Sequence, residues 1–384
     1  MLFNIYISFK GEEETVMRIL VLGNINSKWV KEYIENVLIP LGHNVDVLGN
    51  EPSCKFRDFY VSNGINIKNE VSASKIMEKI PFLRVISSSL RTVKRNQWNT
   101  YDIIINMFVN HRDLRICKKV KSANTKVILY YAGSDLLRKS RLQIVLNRTI
   151  IPSPDAIVVG SSTLAKAMKQ KYSQNTKFET IRFGISAFEN IDKYRDINPA
   201  AQRKNSFCIG YSGVREHNHL SVIETFNKLP SALKEKVFLV VPMTYMATPD
   251  YIKEIRSKLD ETGIDYFLPT QYMDNDAMAE MWCGISFFIN AQTTDSLSAS
   301  VLESLYAGSV LLNASWLEYP EYKEFGIKYL KFSNYEELLD EIIGILKQKK
   351  DCSDLISSEN LKKHMSWQSA RDNWSELFSR LEYV

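Results

Sequence analysis

No apolar run in this 384-residue sequence is long enough to span a membrane, and Leu2 to Phe9 is too short and too poorly flanked for a signal peptide. The five cysteines, Cys54, Cys117, Cys208, Cys283 and Cys352, are scattered, odd in number and never in C-x-x-C spacing. That pattern argues for a reducing, cytoplasmic setting and against structural zinc. Five histidines show no metal-ligand spacing, and no Asp-x-Asp pair is placed to hold a cation, so neither a metal nor another cofactor is expected. A nicotinamide dehydrogenase needs G-x-G-x-x-G after its first strand, and neither Gly23 nor Gly210-Tyr-Ser-Gly213 supplies it. The G-x-S-x-G of a serine hydrolase is absent, as is any repeat of solenoid period. With 45% apolar and 24% charged residues the chain has the makeup of a folded globular protein, and its length allows two or three domains.

Positive charge is unevenly shared. Residues 1–204 hold 32 Lys and Arg against 18 Asp and Glu, whereas residues 205–384 hold 17 against 26. The window 84–148 alone holds 14 against 3. Such a run is either a solvated face or a surface that draws anionic lipid headgroups or a lipid pyrophosphate, at about 1 kcal/mol per well-placed basic residue. The second reading would put the protein at the inner face of a cell membrane. Nucleic acid is not expected as a partner, because no nucleic-acid module accompanies these residues.

Strand and helix signals alternate along the chain. Arg18–Gly23, Val45–Leu48, Tyr101–Asn106, Val127–Tyr131, Ala156–Val159 and Phe178–Ile181 read as strands. Between them, Ser27–Leu38, Arg112–Lys121 and a stretch from Ser161 to Tyr172 read as helices. Lys68–Leu90 is also helical in period, with a break near Pro81. A polar stretch without clear period, 189–206, reads as a linker. A second set of strands then follows at 207–211, 237–241, 265–268, 285–289, 310–312 and 328–330. This alternation predicts two doubly wound parallel sheets. The expected division is a leader or start-site artefact at 1–16, a first domain at 17–200, a second at 201–365 and a final helix at 366–384. In that helix Trp367, Ala370, Trp374 and Phe378 form one apolar stripe.

The most informative stretch is Asn290-Ala-Gln-Thr-Thr-Asp-Ser-Leu-Ser-Ala-Ser-Val-Leu-Glu-Ser-Leu-Tyr-Ala-Gly308. It joins two apolar strand signals through a loop bearing Asp295 and a helix bearing Glu303. In open parallel sheets, ligands bind beyond the carboxyl ends of the strands. A helix N-terminus there offers the free N–H groups of Ser298, Ala299 and Ser300 to a phosphate. A carboxylate one turn further in can accept two hydrogen bonds from a ribose diol. Ser300-Val-Leu-Glu303 equally fits a capping box.

This stretch resembles the E-x7-E region of retaining, family 4-type glycosyltransferases with the GT-B fold. Glu303 matches the second acid and Gly308 the closing glycine; Asp295 stands where the first Glu usually stands, and Ser298 and Ser300 replace Gly and Pro. The turn Tyr211-Ser-Gly213-Val-Arg215-Glu-His-Asn-His219 is similar to the family's G-R-L-x-x-x-K-G turn, with Arg215 one place late and His219 where Lys is usual. Gly23-Asn24 fits the family's loop over the donor phosphates. Gly133-Ser134-Asp135 resembles its G-x-D, although Ser134 and Asp135 also suit a helix cap. Gly184 matches the glycine of its N-G-I-D element. His111 follows a strand end and either faces the acceptor or is an exposed loop residue.

The resemblance implies two Rossmann-like domains facing a cleft, the last helix crossing back to the first domain, and transfer of a sugar with retention. The donor would be a nucleotide diphosphate sugar and the acceptor a glycan or lipid-linked glycan, as in cell-surface polysaccharide synthesis. Glu303 would hold the ribose, Asp295 the sugar hydroxyls, and Arg215 with His219 the diphosphate in place of a metal. Gly213, Ser298, Ala299, Ser300, Gly23 and Asn24 complete the donor side; His111, Ser134, Asp135 and Gly184 make the acceptor side. The alternatives are a non-catalytic GT-B subunit that stabilises a partner transferase, and a sugar-nucleotide epimerase of related fold.

Overall fold

The computed structural model describes residues 16–173, 176–198, 205–355 and 359–382, so the expected leader lies outside the described residues but for Val16. Two parallel sheets organise them. The first holds β1 (Arg18–Leu22), β2 (Asn44–Gly49), β3 (Asn66–Asn69), β4 (Ile103–Met107), β5 (Lys126–Tyr131), β6 (Ala156–Val159) and β7 (Glu179–Thr180). Its order is β3-β2-β1-β4-β5-β6-β7. The second holds β8 (Ser206–Ile209), β9 (Phe238–Val240), β10 (Asp265–Phe267), β11 (Phe287–Asn290), β12 (Val310–Ala314) and β13 (Leu330–Phe332), in the order β10-β9-β8-β11-β12-β13. In both, the order reverses beside the first strand, at β1/β4 and at β8/β11. The central strands are continuous apolar runs because helices cover both of their faces: Ile19 lies opposite Val45 and Ile103, and Phe287 opposite Phe207 and Val310.

By internal contacts the chain forms two compact units. One comprises residues up to 130, 146–157 and from 374 on; the other comprises 131–145 and 158–373. In the first unit, Trp374 of the helix Trp367–Glu382 packs on Tyr33 at 5.0 Å between ring centroids, and Phe378 on His43 at 5.4 Å. The last helix thus returns to the first unit, as its apolar stripe requires. The helix expected at Ser27–Leu38 is an α-helix to Tyr33 that loosens into a π turn, Ile34–Leu38, with Ile39 N–H bonded to Ile34 O at 3.0 Å.

Two expectations fail. Lys68–Leu90 is not one broken helix: Asn66–Asn69 is the edge strand β3, residues 70–80 form turns, and the helix starts only at Pro81 and runs to Arg95. Proline has its φ set for a first helical position and needs no partner there for its missing N–H. The stretch 189–206 is not a linker throughout. The helix Ala187–Ile197 enters it, burying Phe188 against Tyr306 at 4.1 Å and spending Asp192 on Arg195 and Lys362, both at 2.7 Å. Residues 199–204 lie outside the described residues. Among the described residues, no helix is long and apolar enough to cross a membrane.

Candidate active site

The loops after β8 and β11 meet at the switch point of the second sheet, where an open parallel sheet leaves a crevice. Four bonds stitch them: Thr293 N–H and Oγ1 to Glu216 O at 2.8 and 3.5 Å, Asn218 Nδ2 to Ala291 O at 2.7 Å, and the Tyr211 hydroxyl to Gln292 Oε1 at 3.3 Å. The turn bearing Gly213 and Arg215 is thereby tied to the loop bearing Asp295 and Ser298.

Ser298 caps the helix Ala299–Tyr306, its Oγ accepting from Val301 N–H at 3.3 Å. Ser300 is the second helical residue, so it does not cap, and the capping-box alternative for Glu303 fails. Glu303, one turn in, accepts from the Trp282 indole N–H at 3.0 Å. Asp295 Oδ2 accepts from the Tyr319 hydroxyl at 2.7 Å and from Ser298 N–H at 3.3 Å. The Tyr319 oxygen in turn accepts from buried Asn290 at 3.1 Å. Neighbouring atoms enclose the carboxyl although part of the residue surface stays open. This desolvation raises the Asp295 pKa, against the stabilising pull of Tyr319, the Ser296 and Ser298 amides, and Arg138. Arg138, which also pairs with Glu216 at 3.2 Å, was not marked by any motif in the sequence.

Gly213 is needed for space. A Cβ there would lie 2.2 Å from Ala247 Cβ and 2.4 Å from its Cα, so the glycine lets the chain after β9 close against this turn. Arg215 stacks on Tyr251, 4.2 Å from the ring centroid, and pairs with Glu254 at 2.8 Å while largely exposed. An exposed pair of this kind is worth about 0–1 kcal/mol, so the guanidinium is readily released to another anion.

His219 departs from expectation. It is wholly buried, its Nδ1 is 3.2 Å from the Tyr251 hydroxyl, and burial holds its pKa down at about 4. Burial disfavours the charged ring that the expected diphosphate role requires. A lysine at this position could reach outward on four methylenes; the short imidazole stays in the core. Beside it at 5.3 Å is His217, also buried, with Nε2 2.8 Å from the Ser212 hydroxyl and a pKa of about 3, lowered by burial and then by His219 and Arg138.

The remaining candidates sit elsewhere. Gly23 and Asn24 follow β1 in the first unit, where Asn24 turns the chain by accepting from Asn26 N–H at 3.0 Å. His111, also in that unit, is the first residue of the helix His111–Val120 after β4, so Gly23 and His111 flank the switch point of the first sheet. Asp135 is buried and accepts from Gly133 N–H at 2.8 Å and Ala132 N–H at 3.1 Å, which satisfies the start of the helix Ser134–Leu137; Ser134 is exposed. Gly184 is a packing position: a Cβ would lie 2.3 Å from the Trp367 ring. The triplet Asp274-Asn-Asp276 is spent locally, Asp274 on Ala277 N–H at 2.9 Å and Asp276 on Asn190 at 3.0 Å. Among the described residues, no group of three His, Cys, Asp or Glu is arranged to hold a metal ion.

No family model matches the chain, and no curated protein does. Solved structures do. HepE from Anabaena, crystallised with UDP and glucose, aligns over 95% of this chain and 100% of its own at 13% identity, with a TM-score of 0.66. A glycosyltransferase from Rickettsia africae aligns over 96% and 99% at 13% identity, TM-score 0.70. Sucrose-phosphate synthase from Thermosynechococcus elongatus does so over 96% and 99% at 12%, TM-score 0.70. The fold is GT-B. At such low identity the likeness establishes GT-B architecture across nearly the whole chain, and chemistry must be argued from the site.

Proposed function

We propose that this GT-B protein is a glycosyltransferase that moves a hexose-like residue from a nucleotide diphosphate sugar to a glycan or lipid-linked acceptor. The observation that carries the reading is the pair Asp295 and Glu303 on one loop-and-helix unit beyond β11, at the switch point of the second sheet. Solved neighbours of the same fold hold UDP and UDP-glucose, which supports a nucleotide sugar as donor. Glu303, held by the Trp282 N–H, would accept from the ribose hydroxyls. The amides of Ala299 and Ser300 would face the diphosphate, that of Ser298 being held by Asp295, with Arg215 turning from Glu254 to join them. Asp295 would orient the donor sugar. Charge on the leaving diphosphate would be met by these groups in place of a metal ion; retention of configuration follows from the family resemblance.

Loss of a hydrogen bond to a charged group costs about 1.5–3 kcal/mol. Glu303→Ala should therefore weaken nucleotide binding by roughly 10- to 150-fold, read by calorimetry against a panel of nucleotides and nucleotide sugars. Wild-type affinity in this variant would refute the assignment. The neutral, buried His219 favours a second reading, a non-catalytic subunit that stabilises a partner, because it removes one expected cation. A wild-type protein that binds no nucleotide sugar at all would favour that reading.

A further inference from the structure

The helix Pro81–Arg95 fully buries small polar residues. Its buried residues are Ser87, Ser88, Ser89 and Thr92. Three of these hold the segment before it: Ser88 Oγ donates to Val71 O at 2.8 Å, Thr92 Oγ1 accepts from Val71 N–H at 3.0 Å, and Ser87 Oγ accepts from Ser74 N–H at 3.2 Å. Of the helix's own apolar side chains Leu83, Val85, Ile86 and Val93 are half-buried and Phe82 and Leu90 exposed, and the exposed ones cluster with those of the turn before it. Ile76 is 88% exposed, Ile80 51% and Phe82 61%, with Met77 and Leu90 also exposed. The turn carrying them, closed by Glu78 N–H to Ser74 O at 3.0 Å, stands out from the surface, with every residue from 75 to 82 exposed.

Water-facing isoleucine and phenylalanine clustered on one turn mark an interaction surface. Charge decides its partner. Lys75, Lys79, Arg84, Arg91 and Lys94 flank the apolar residues, and Arg115 lies over the Phe82 ring at 5.7 Å. None of the first five pairs with a carboxylate among the described residues, and Glu78 is the one acid on the turn. A protein partner of mixed charge would leave these cations unmatched. An anionic bilayer matches both features, with headgroups for the cations and acyl chains for the turn.

We propose that the 75–82 turn is an apolar wedge that inserts into anionic membranes while the basic residues around it hold the headgroups. The inference is independent of the donor reading. It differs from simple charge attraction in one consequence: insertion leaves a share of the binding that salt does not remove.

The test is co-sedimentation of the full-length protein with phosphatidylcholine vesicles, with and without phosphatidylglycerol, across a salt series. Wild type should bind the anionic vesicles, weaken as salt rises and level off above zero. Ile76→Ser/Ile80→Ser/Phe82→Ser should lose tenfold or more in partitioning and the salt-resistant share with it. Lys75→Ser/Lys79→Ser/Arg84→Ser should lose about fivefold per residue at low salt. A Phe82→Trp protein should show blue-shifted emission on anionic vesicles relative to wild type. Unchanged circular dichroism keeps the variants interpretable, and Trp282 and Glu303 are untouched, so nucleotide affinity should not move. Equal binding by wild type and the apolar triple variant, no binding at all, or a concentration-dependent dimer that the triple variant abolishes would each overturn the proposal.

Discussion

Acidification from pH 7.5 to 5 should destabilise the fold through His217 and His219. Their folded pKa values, about 3 and about 4, lie below the ordinary histidine value of 6.5 because burial disfavours the charged ring. An unfolded chain takes up a proton on each ring as pH falls through about 6.5, while the folded chain does so only near those lower values. The stability they contribute is full above pH 6.5 and lost toward the folded values. At pH 5 each ring costs about 2 kcal/mol, and the pair about 4, out of a typical 5–15. Asp46, Asp192 and Glu324, whose pKa values are lowered, lose their contributions at more acid pH, outside this window. Asp295, raised by burial, works in the opposite sense. Urea titrations at half-unit pH steps would measure the slope in wild type, in His217→Gln, in His219→Gln and in the double variant. Each replacement should flatten the curve between pH 6.5 and 5 by about 2 kcal/mol. Parallel curves for wild type and the double variant would show that these rings titrate normally and that His219 is not locked in the core as described.

Three further outcomes follow from other contacts. Gly184→Ala should destabilise the protein by about 1–3 kcal/mol, because its methyl group overpacks against the Trp367 ring; an unchanged melting curve would contradict the contact. Tyr319→Phe removes a donor that favours the Asp295 carboxylate, so the carboxyl pKa should rise further and the acid limb of the transfer rate should move to higher pH; an unmoved limb would free Asp295 from the rate. Transfer measured in chelator should persist, and complete loss restored by manganese or magnesium would reject the proposed metal-free diphosphate site.

The β11-to-β12 unit was legible because two apolar strands bracket one helix with Gly308 just past its end, although the cap is Ser298 and not the Ser300 that a capping box would need. The 68–90 region was not. Its strand is a short polar edge, Asn66–Asn69, with no apolar face to reveal its period. The following helix fully buries serines while its apolar residues stay half-buried or exposed, so its apolar period gave no clear core face or boundary. The helix Ala187–Ile197 was hidden by charged residues whose partners, Tyr306 and Lys362, lie far away in sequence. At the candidate site, motif spacing placed the two loops after strands that the structure has as β8 and β11, but could not give the directions of side chains. His219 reads as an active-site cation only if its burial is unknown. Tyr319 and Arg138 carry no local signal at all, since what brings each toward Asp295 is the path of the folded chain.

The return of the last helix also sets an order of events during synthesis. Trp374 and Phe378 complete the packing around Tyr33 and His43, residues made more than three hundred positions earlier. Until that helix has left the ribosome, the first unit has its strands but lacks the piece that closes it, and the apolar rings at its helix Lys28–Tyr33 stay open to water or to a chaperone. The second unit ends at residue 373, one position before Trp374. The half of the protein that is translated first therefore cannot close before the second half has been made.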